Sequence, residues 1–244
     1  PKFFSTRYNK WSSIERETLL QRLQFTSAQD TLIDGSMPKF TASIEASINT
    51  KIKDQAQRLA LFYARNGNYK VLYSRKVGYF LQVLNFQPKV IDGHGNLRPP
   101  SEFKEIKVEN EAQERVALCS LNSNLFYWFV TVFSDCRHLN KREVDNLPIR
   151  LNDLALSQQG KKLCALSEKL MTDIEEKSEV RNMRFKHDTL KVQCIIPKKS
   201  KPIIDQIDRV LAQHYGFTAE ETDFLINYDI KYRMGRGGDE AGEE

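Results

Sequence analysis

Cysteine is scarce: the 244 residues hold four, and Cys119, Cys136, Cys164 and Cys194 lie far apart with no CxxC pair. That spacing excludes a disulfide-stapled scaffold and reads as reduced core thiols in a cytoplasmic protein. Histidine is as thin, and His94, His138, His187 and His214 show no ligand spacing with the cysteines, so no zinc site is expected. Long apolar runs are missing too. The densest, Leu125 to Phe133, is nine residues, too short to cross a bilayer, and no secretory segment precedes it. Membrane partners are therefore not expected, and no serine or cysteine nucleophile constellation is found. An initiator Met is absent; the chain starts at Pro1, as a fragment of a longer protein would.

Neither sign of charge dominates, with 37 Lys and Arg against 32 Asp and Glu for a net +5. The distribution is more telling. Between 65 and 107 stand Arg65, Lys70, Arg75, Lys76, Lys89, Arg98, Lys104 and Lys107 against only Asp92, Glu102 and Glu105, while the Gly- and acid-rich tail 236–244 reads as disordered. The folded body is thus more basic than the total, as a polyanion partner requires; a solvated lysine-rich surface is the plain alternative.

What is present is an ordinary globular composition, 40% apolar and 28% charged, long enough for one or two domains. The chain is organised around residues 119–149. Apolar side chains at 125, 126, 128, 129, 130, 132 and 133 surround a helix on most sides, which must therefore be buried. Directly after it come Arg137, His138, Asn140, Lys141 and Arg142. Asn140 with Glu143 reads as a capping box opening a short helix that Pro148 stops. Arg137 and His138 are candidates for phosphate or base contact; alternatively Arg137 caps helix carbonyls and His138 is satisfied within the core.

Residues 1–58 read as a connector. Its first helix, capped by Ser12 or Ser13, carries Ile14, Leu19, Leu20 and Leu23 on one apolar face; a turn lies around Asp34-Gly35-Ser36; a second helix carries Ile44, Ile48 and Ile52. Residues 59–150 change to a strand pattern in LALFYA, YKVLYS, VGYFLQVLNF and FKEIKV, punctuated by Asn66-Gly67, Arg75 to Gly78 and the Pro/Gly-rich loop 88–100. Residues 151–235 read as largely helical, with one strand, TLKVQCII, available to the earlier sheet. There the seam Leu163, Leu166, Leu170, Ile174 is either an arm or a packed surface helix. Ser200 and Pro202 open a helix that Gly216 ends, and Thr218 with Glu221 opens the next. The expected class is α+β, a small twisted, mainly antiparallel sheet packed with helices and followed by a mostly helical part. The turn Tyr73 to Tyr79 sets Arg75 and Lys76 between Tyr73 and Tyr79, and a two-stranded ribbon fits the DNA major groove, where Arg pairs with guanine and Lys holds phosphate. The bland reading makes both cations soluble turn residues and both tyrosines sheet packing.

The words LNSNLFYWF, SDCRHLN and REVDNLPI, in that order, with FFSTRYNKW at 3–11, MPKFTASIEASINTKI at 37–52, YKVLYSRKVGYFLQVLNF at 69–86 and the helical stretch 199–235, resemble the C-terminal target-recognition part of gamma-class, TaqI-like N6-adenine DNA methyltransferases, including type IIG restriction-modification enzymes. The resemblance implies sequence-specific recognition of double-stranded DNA. It puts Arg75 and Lys76 in the groove beside Tyr73 and Tyr79, and Arg137, Asn140, Lys141 and Arg142 on the backbone. Catalysis, with S-adenosylmethionine, belongs to an N-terminal methyltransferase domain of the parent. Neither the Gly-containing cofactor loop nor an Asn/Asp-Pro-Pro-Tyr/Phe motif is found: Pro99-Pro100 is flanked by Arg98 and Ser101, and Gly235, Gly237 and Gly238 follow no strand. No cofactor and no catalytic residue is therefore assigned here. Two other classes remain: a PD-(D/E)xK-like nuclease using Asp92 with Glu102 and Lys104, and a helical interaction module self-associating through 161–177.

Overall fold

The computed structural model describes residues 3–9, 13–27, 36–185 and 189–235. In chain order its elements are β1 (Phe4–Ser5), β2 (Thr26–Ser27), α1 (Ser43–Lys53), β3 (Tyr69–Ser74), β4 (Val83–Leu84), β5 (Val90–Ile91), β6 (Leu97–Arg98), β7 (Phe103–Val108), α2 (Glu111–Asn122), α3 (Asn124–Phe133), α4 (Lys141–Asp145), α5 (Leu151–Leu156), α6 (Gln158–Glu176), β8 (Glu179–Arg184), β9 (Thr189–Cys194), α7 (Lys201–Tyr215), α8 (Ala219–Ile226) and α9 (Ile230–Arg233). The fold is α+β. Its central sheet, in the order β4-β3-β7, is antiparallel, with β3 and β7 in register from Tyr69 opposite Val108 to Ser74 opposite Phe103. A second antiparallel sheet, β6-β5-β9-β8, stands apart from it.

Every residue of α3 is buried, as its all-round apolar sequence requires. Ser123 starts α3 by accepting from the Phe126 N–H, and Asn110 starts α2 by accepting from the Gln113 N–H. The Asn122 side chain ties α2 to the sheet by donating to the Val83 carbonyl at 2.8 Å and accepting from the Val83 N–H at 3.3 Å, which satisfies both backbone groups of Val83 on edge strand β4. No single helix among the described residues is long and apolar enough to cross a membrane; α2 and α3 meet that test only as a pair, bent by 61° and lying in the core.

The core is continuous from Phe40 in the connector to Tyr228, so it has no break at the expected boundaries 58/59 and 150/151. Ile48 and Ile52 of α1 enter it, and so do Leu163, Leu170 and Ile174 of α6. The α6 seam is thus spent against α2 and α7 inside the chain, which settles arm against packed helix and removes that seam as a self-association surface.

Several local expectations fail for identifiable reasons. LALFYA is no strand: Leu59–Phe62 is a 3-10 helix whose Leu59 N–H is taken by the Leu147 carbonyl at 3.0 Å. Asn66-Gly67 therefore turns into β3 without closing a hairpin, and Gly67 is needed because a Cβ there would meet the Val108 carbonyl. Only Val83–Leu84 of VGYFLQVLNF is strand, since the Tyr79 carbonyl is taken by the Arg233 guanidinium at 2.8 Å and the same group stacks on Phe80. The 88–100 loop contains the hairpin β5-β6, closed by Asp92, which accepts from the His94 and Asn96 N–H groups. β9 exists as expected but joins this hairpin and the unforeseen β8, not the central sheet. In the connector, Ser13–Thr18 and Leu20–Arg22 are 3-10 turns, and the supposed inward residue Ile14 is 89% exposed. Ser12, Asp34, Gly35 and the 236–244 tail lie outside the described residues.

Where α5 meets α6, Gly160 sits with its backbone against the Leu154 and Ala155 carbonyl oxygens, so a Cβ there would clash with main chain rather than with a yielding side chain. Gly160→Ala, which gains about 1 kcal/mol in an open helix, should here destabilise by roughly 1–3 kcal/mol through overpacking. Urea unfolding gives the sign, and a stabilised variant would disprove the close approach.

Candidate nucleic-acid interface

β3 delivers the chain to Arg75 and Lys76 just past its last residue. The Arg75 N–H donates to the Glu102 carbonyl at 2.9 Å and its carbonyl accepts from the Leu139 N–H at 2.8 Å, while Lys76 bridges His138 in antiparallel fashion. Residues 62 positions apart thereby become cross-strand neighbours, with α-carbons about 5 Å apart. Arg75, Lys76, Arg137 and His138 are all exposed, and none of the four enters an ion pair among the described residues. His138 is thus a surface residue, contrary to the core reading.

The second half of this strip is shaped by Asp135. Its carboxylate accepts from the Arg137 N–H at 2.9 Å and the His138 N–H at 3.3 Å, and these bonds hold its pKa below the ordinary value. Cys136 between them takes a left-handed φ of 59°. Asn140 opens α4, its N–H donating to Glu143 at 3.0 Å and its side chain to the His138 carbonyl at 3.3 Å.

The other expected contacts are more committed. Tyr73 is 1% exposed and belongs to the core, its phenol pushed up to about 12 by burial; it cannot touch DNA. Lys141 pairs with Asp145 at 2.9 Å over the Tyr63 ring. Arg142 is the residue that caps α3, donating to the Phe133 carbonyl at 2.8 Å and pairing with Glu143 at 3.3 Å, the task the competing reading gave to Arg137. Tyr79 remains 44% exposed and lines a cavity of about 190 Å³ with Tyr8, Val77, Gly78, Tyr127, Thr131 and Cys136. Below the roughly 300 Å³ of ordinary small-molecule sites, it has room for one ring. Lys39 closes this side, donating to the Ser134 carbonyl and lying 5.3 Å from the Tyr8 ring. Tyr8, Lys39 and Thr131 were invisible as site residues, because only tertiary contact brings the connector to α3.

Comparison with family models, with curated proteins and with solved structures returns no match. The assignment therefore rests on residues and geometry. For the nuclease class the geometry is poor: Asp92 is engaged in its own turn and in an ion pair with Arg98 at 3.0 Å, and its pKa is lowered to about 2, first by the Asn96 N–H. Among the described residues no three His, Cys, Asp or Glu side chains are grouped to hold a metal ion.

Proposed function

We propose that this chain is the sequence-specific double-stranded DNA recognition region of an adenine-specific DNA methyltransferase of a restriction-modification system. The observation that carries the DNA reading is the bridge between Lys76 and His138, which gathers Arg75, Lys76 and Arg137 into one exposed strip of cations that form no ion pair among the described residues. Unneutralised cations at a rigid sheet end are what phosphate binding uses, while an exposed Arg offers bidentate contact to a guanine edge. The methyltransferase assignment comes from the sequence words that resemble the gamma-class enzymes. Under it, the parent's N-terminal domain binds S-adenosylmethionine and takes the adenine flipped out of the duplex, in the cytoplasm. Exposed Ile14, Leu20 and Phe25 in the connector favour that reading, since they offer apolar surface to a neighbouring domain.

Binding of the chain to a random duplex over a salt series tests the DNA reading. Wild type should lose affinity steeply with salt, and Arg75→Ala with Lys76→Ala should flatten the plot of log K against log salt by about 1 unit, near 0.9 for the phosphate contact of Lys76, since Arg75 reads a base edge. Against a library of duplexes, Arg75→Ala should alter site preference more than Lys141→Ala, whose side chain is held by Asp145. Salt-independent or absent duplex binding would refute the reading, and equal effects of the two variants would refute the division between base and backbone contacts.

A further inference from the structure

Resting on that DNA reading, we infer that the duplex contact extends onto one face of the second sheet, β6-β5-β9-β8, as a row of three cations, Arg184, Lys191 and Lys89. Directly opposite residues of an antiparallel pair point to the same side, and residues two apart along a strand do so as well. Arg184 lies opposite Thr189, Asn182 opposite Lys191, and Lys191 opposite Ile91. Lys89, one residue before β5, is held opposite Gln193 at the end of this ladder, accepting from the Gln193 N–H at 2.8 Å and donating its own N–H to the Gln193 side chain at 3.1 Å. All of these share one face. Stepping from Arg184 on β8 to Lys191 on β9 to Lys89 before β5 moves two residues along and one strand across each time. The cations therefore form a diagonal at about 7–8 Å intervals.

This face carries no carboxylate on its strands. Acidic residues of the sheet point the other way and are already neutralised there: Glu179 by Arg181 and Lys199, Asp92 by Arg98. Arg184, Lys191 and Lys89 are exposed and form no ion pair among the described residues. Beside them Val180 and Leu97 are each 73% exposed, with Asn182, Thr189 and Gln193 as polar neighbours. An evenly spaced cationic diagonal flanked by apolar and amide groups suits a phosphate backbone crossed at an angle by a ribbon lying in the major groove, which admits two strands. The six-residue register of β8 with β9 gives a ribbon about 20 Å long.

Although separate in strand pairing, the second sheet meets the central sheet near its Arg75 end. The Gln82 amide, whose backbone carbonyl accepts from the Ser74 N–H at 2.9 Å, donates to the Ile195 carbonyl at 3.5 Å just after β9. On the other edge, Arg98 of β6 is only four residues from Glu102, the partner of the Arg75 N–H, a span of at most about 14 Å of chain. One duplex can reach both clusters.

The experiment is duplex binding by the full chain between about 50 and 200 mM salt, comparing wild type, the triple variant Lys89→Ala, Arg184→Ala, Lys191→Ala, the Arg75→Ala, Lys76→Ala pair and the opposite-face control Arg181→Ala. The triple variant should flatten the salt slope by roughly 2–3 units, the control should leave it unchanged, and charge-keeping exchanges (Lys89→Arg, Arg184→Lys, Lys191→Arg) should restore it. If the triple variant keeps the wild-type slope while the Arg75 pair loses part of it, the ribbon face is wrong and the DNA reading stands. Equal flattening by Arg181→Ala would mean a general field and overturn the face assignment. Absence of salt-dependent binding by wild type would overturn both.

Discussion

Trp128→Ala should lower the unfolding free energy by at least 3–5 kcal/mol, the usual cost of truncating a large buried aromatic. Trp128 is fully enclosed, edge-on to Phe133 with ring centres 6.4 Å apart, and Phe133 in turn packs on Phe129 at 4.9 Å. The indole N–H also donates to the buried Glu45 carboxylate at 3.2 Å, whose other oxygen accepts from the Thr41 and Ala42 N–H groups at the start of α1. Losing the indole orphans a buried carboxylate oxygen as well as opening a cavity, adding about 1–3 kcal/mol. Against a total stability of roughly 5–15 kcal/mol, the variant stands near the limit of folding, with a melting temperature lower by roughly 10–20 °C. Trp128→Phe separates the contributions, because it keeps most of the packing and loses the hydrogen bond. Equal melting temperatures for the two variants would assign the whole effect to Glu45; a loss below about 1 kcal/mol in Trp128→Ala would mean that α3 is not the core of this fold. Phe133 ends α3 at the strip, so a shift there should also weaken the proposed DNA binding through Arg142 and Lys39, which hold the Phe133 and Ser134 carbonyls.

The features legible in the sequence are those encoded locally. Apolar groups on all sides of α3 demand burial, Thr218 with Glu221 makes its capping box, and YKVLYS and FKEIKV form the long strands of the central sheet. Failures fall where a distant partner decides. LALFYA has the apolar content of a strand, but Leu147 takes its first N–H and it turns instead. Tyr73 looks like a tip residue yet lies opposite Val83 and Lys104 on the central strand, which buries it. β8, with the sequence EVRNMR, has Val180 as its one branched residue and no aromatic, and exists through its pairing with β9. For the interface, cationic residue types at 75–76 and 137 were visible, whereas their juxtaposition depends on the bridge from Lys76 to His138. The cationic diagonal of the second sheet depends on a register between residues some hundred positions apart, which no local pattern encodes.

Asp208→Ala should be as damaging as the loss of the indole, for an electrostatic reason. Asp208 is buried in α7 and faces the N-terminus of α3, accepting from the Asn124 N–H at 3.0 Å, the Leu125 N–H at 3.1 Å and the Asn124 side chain at 2.7 Å. Without it two buried backbone donors at a helix start lose their partner, at about 1–3 kcal/mol each. Its acidity is a second handle. Burial raises its pKa from 3.8 to about 6, against the opposing pull of the Asn124 and Leu125 N–H groups. Between those values the folded state holds a proton that the unfolded state has released, so this group's contribution is complete below about pH 4 and falls away as pH rises through 6. His214 has the opposite sign: burial lowers its pKa from 6.5 to about 4, so the unfolded state takes the proton first and stability falls as pH drops through that interval. The two slopes oppose each other over the shared window, and wild type should show a shallow profile there. Asp208→Asn exposes the histidine slope, with stability falling on acidification from pH 6.5 to 4; His214→Gln exposes the aspartate slope, with stability rising over pH 6 to 4. Melting temperatures taken across that range check both signs, and profiles parallel to wild type in the two variants would show that neither group titrates with the fold.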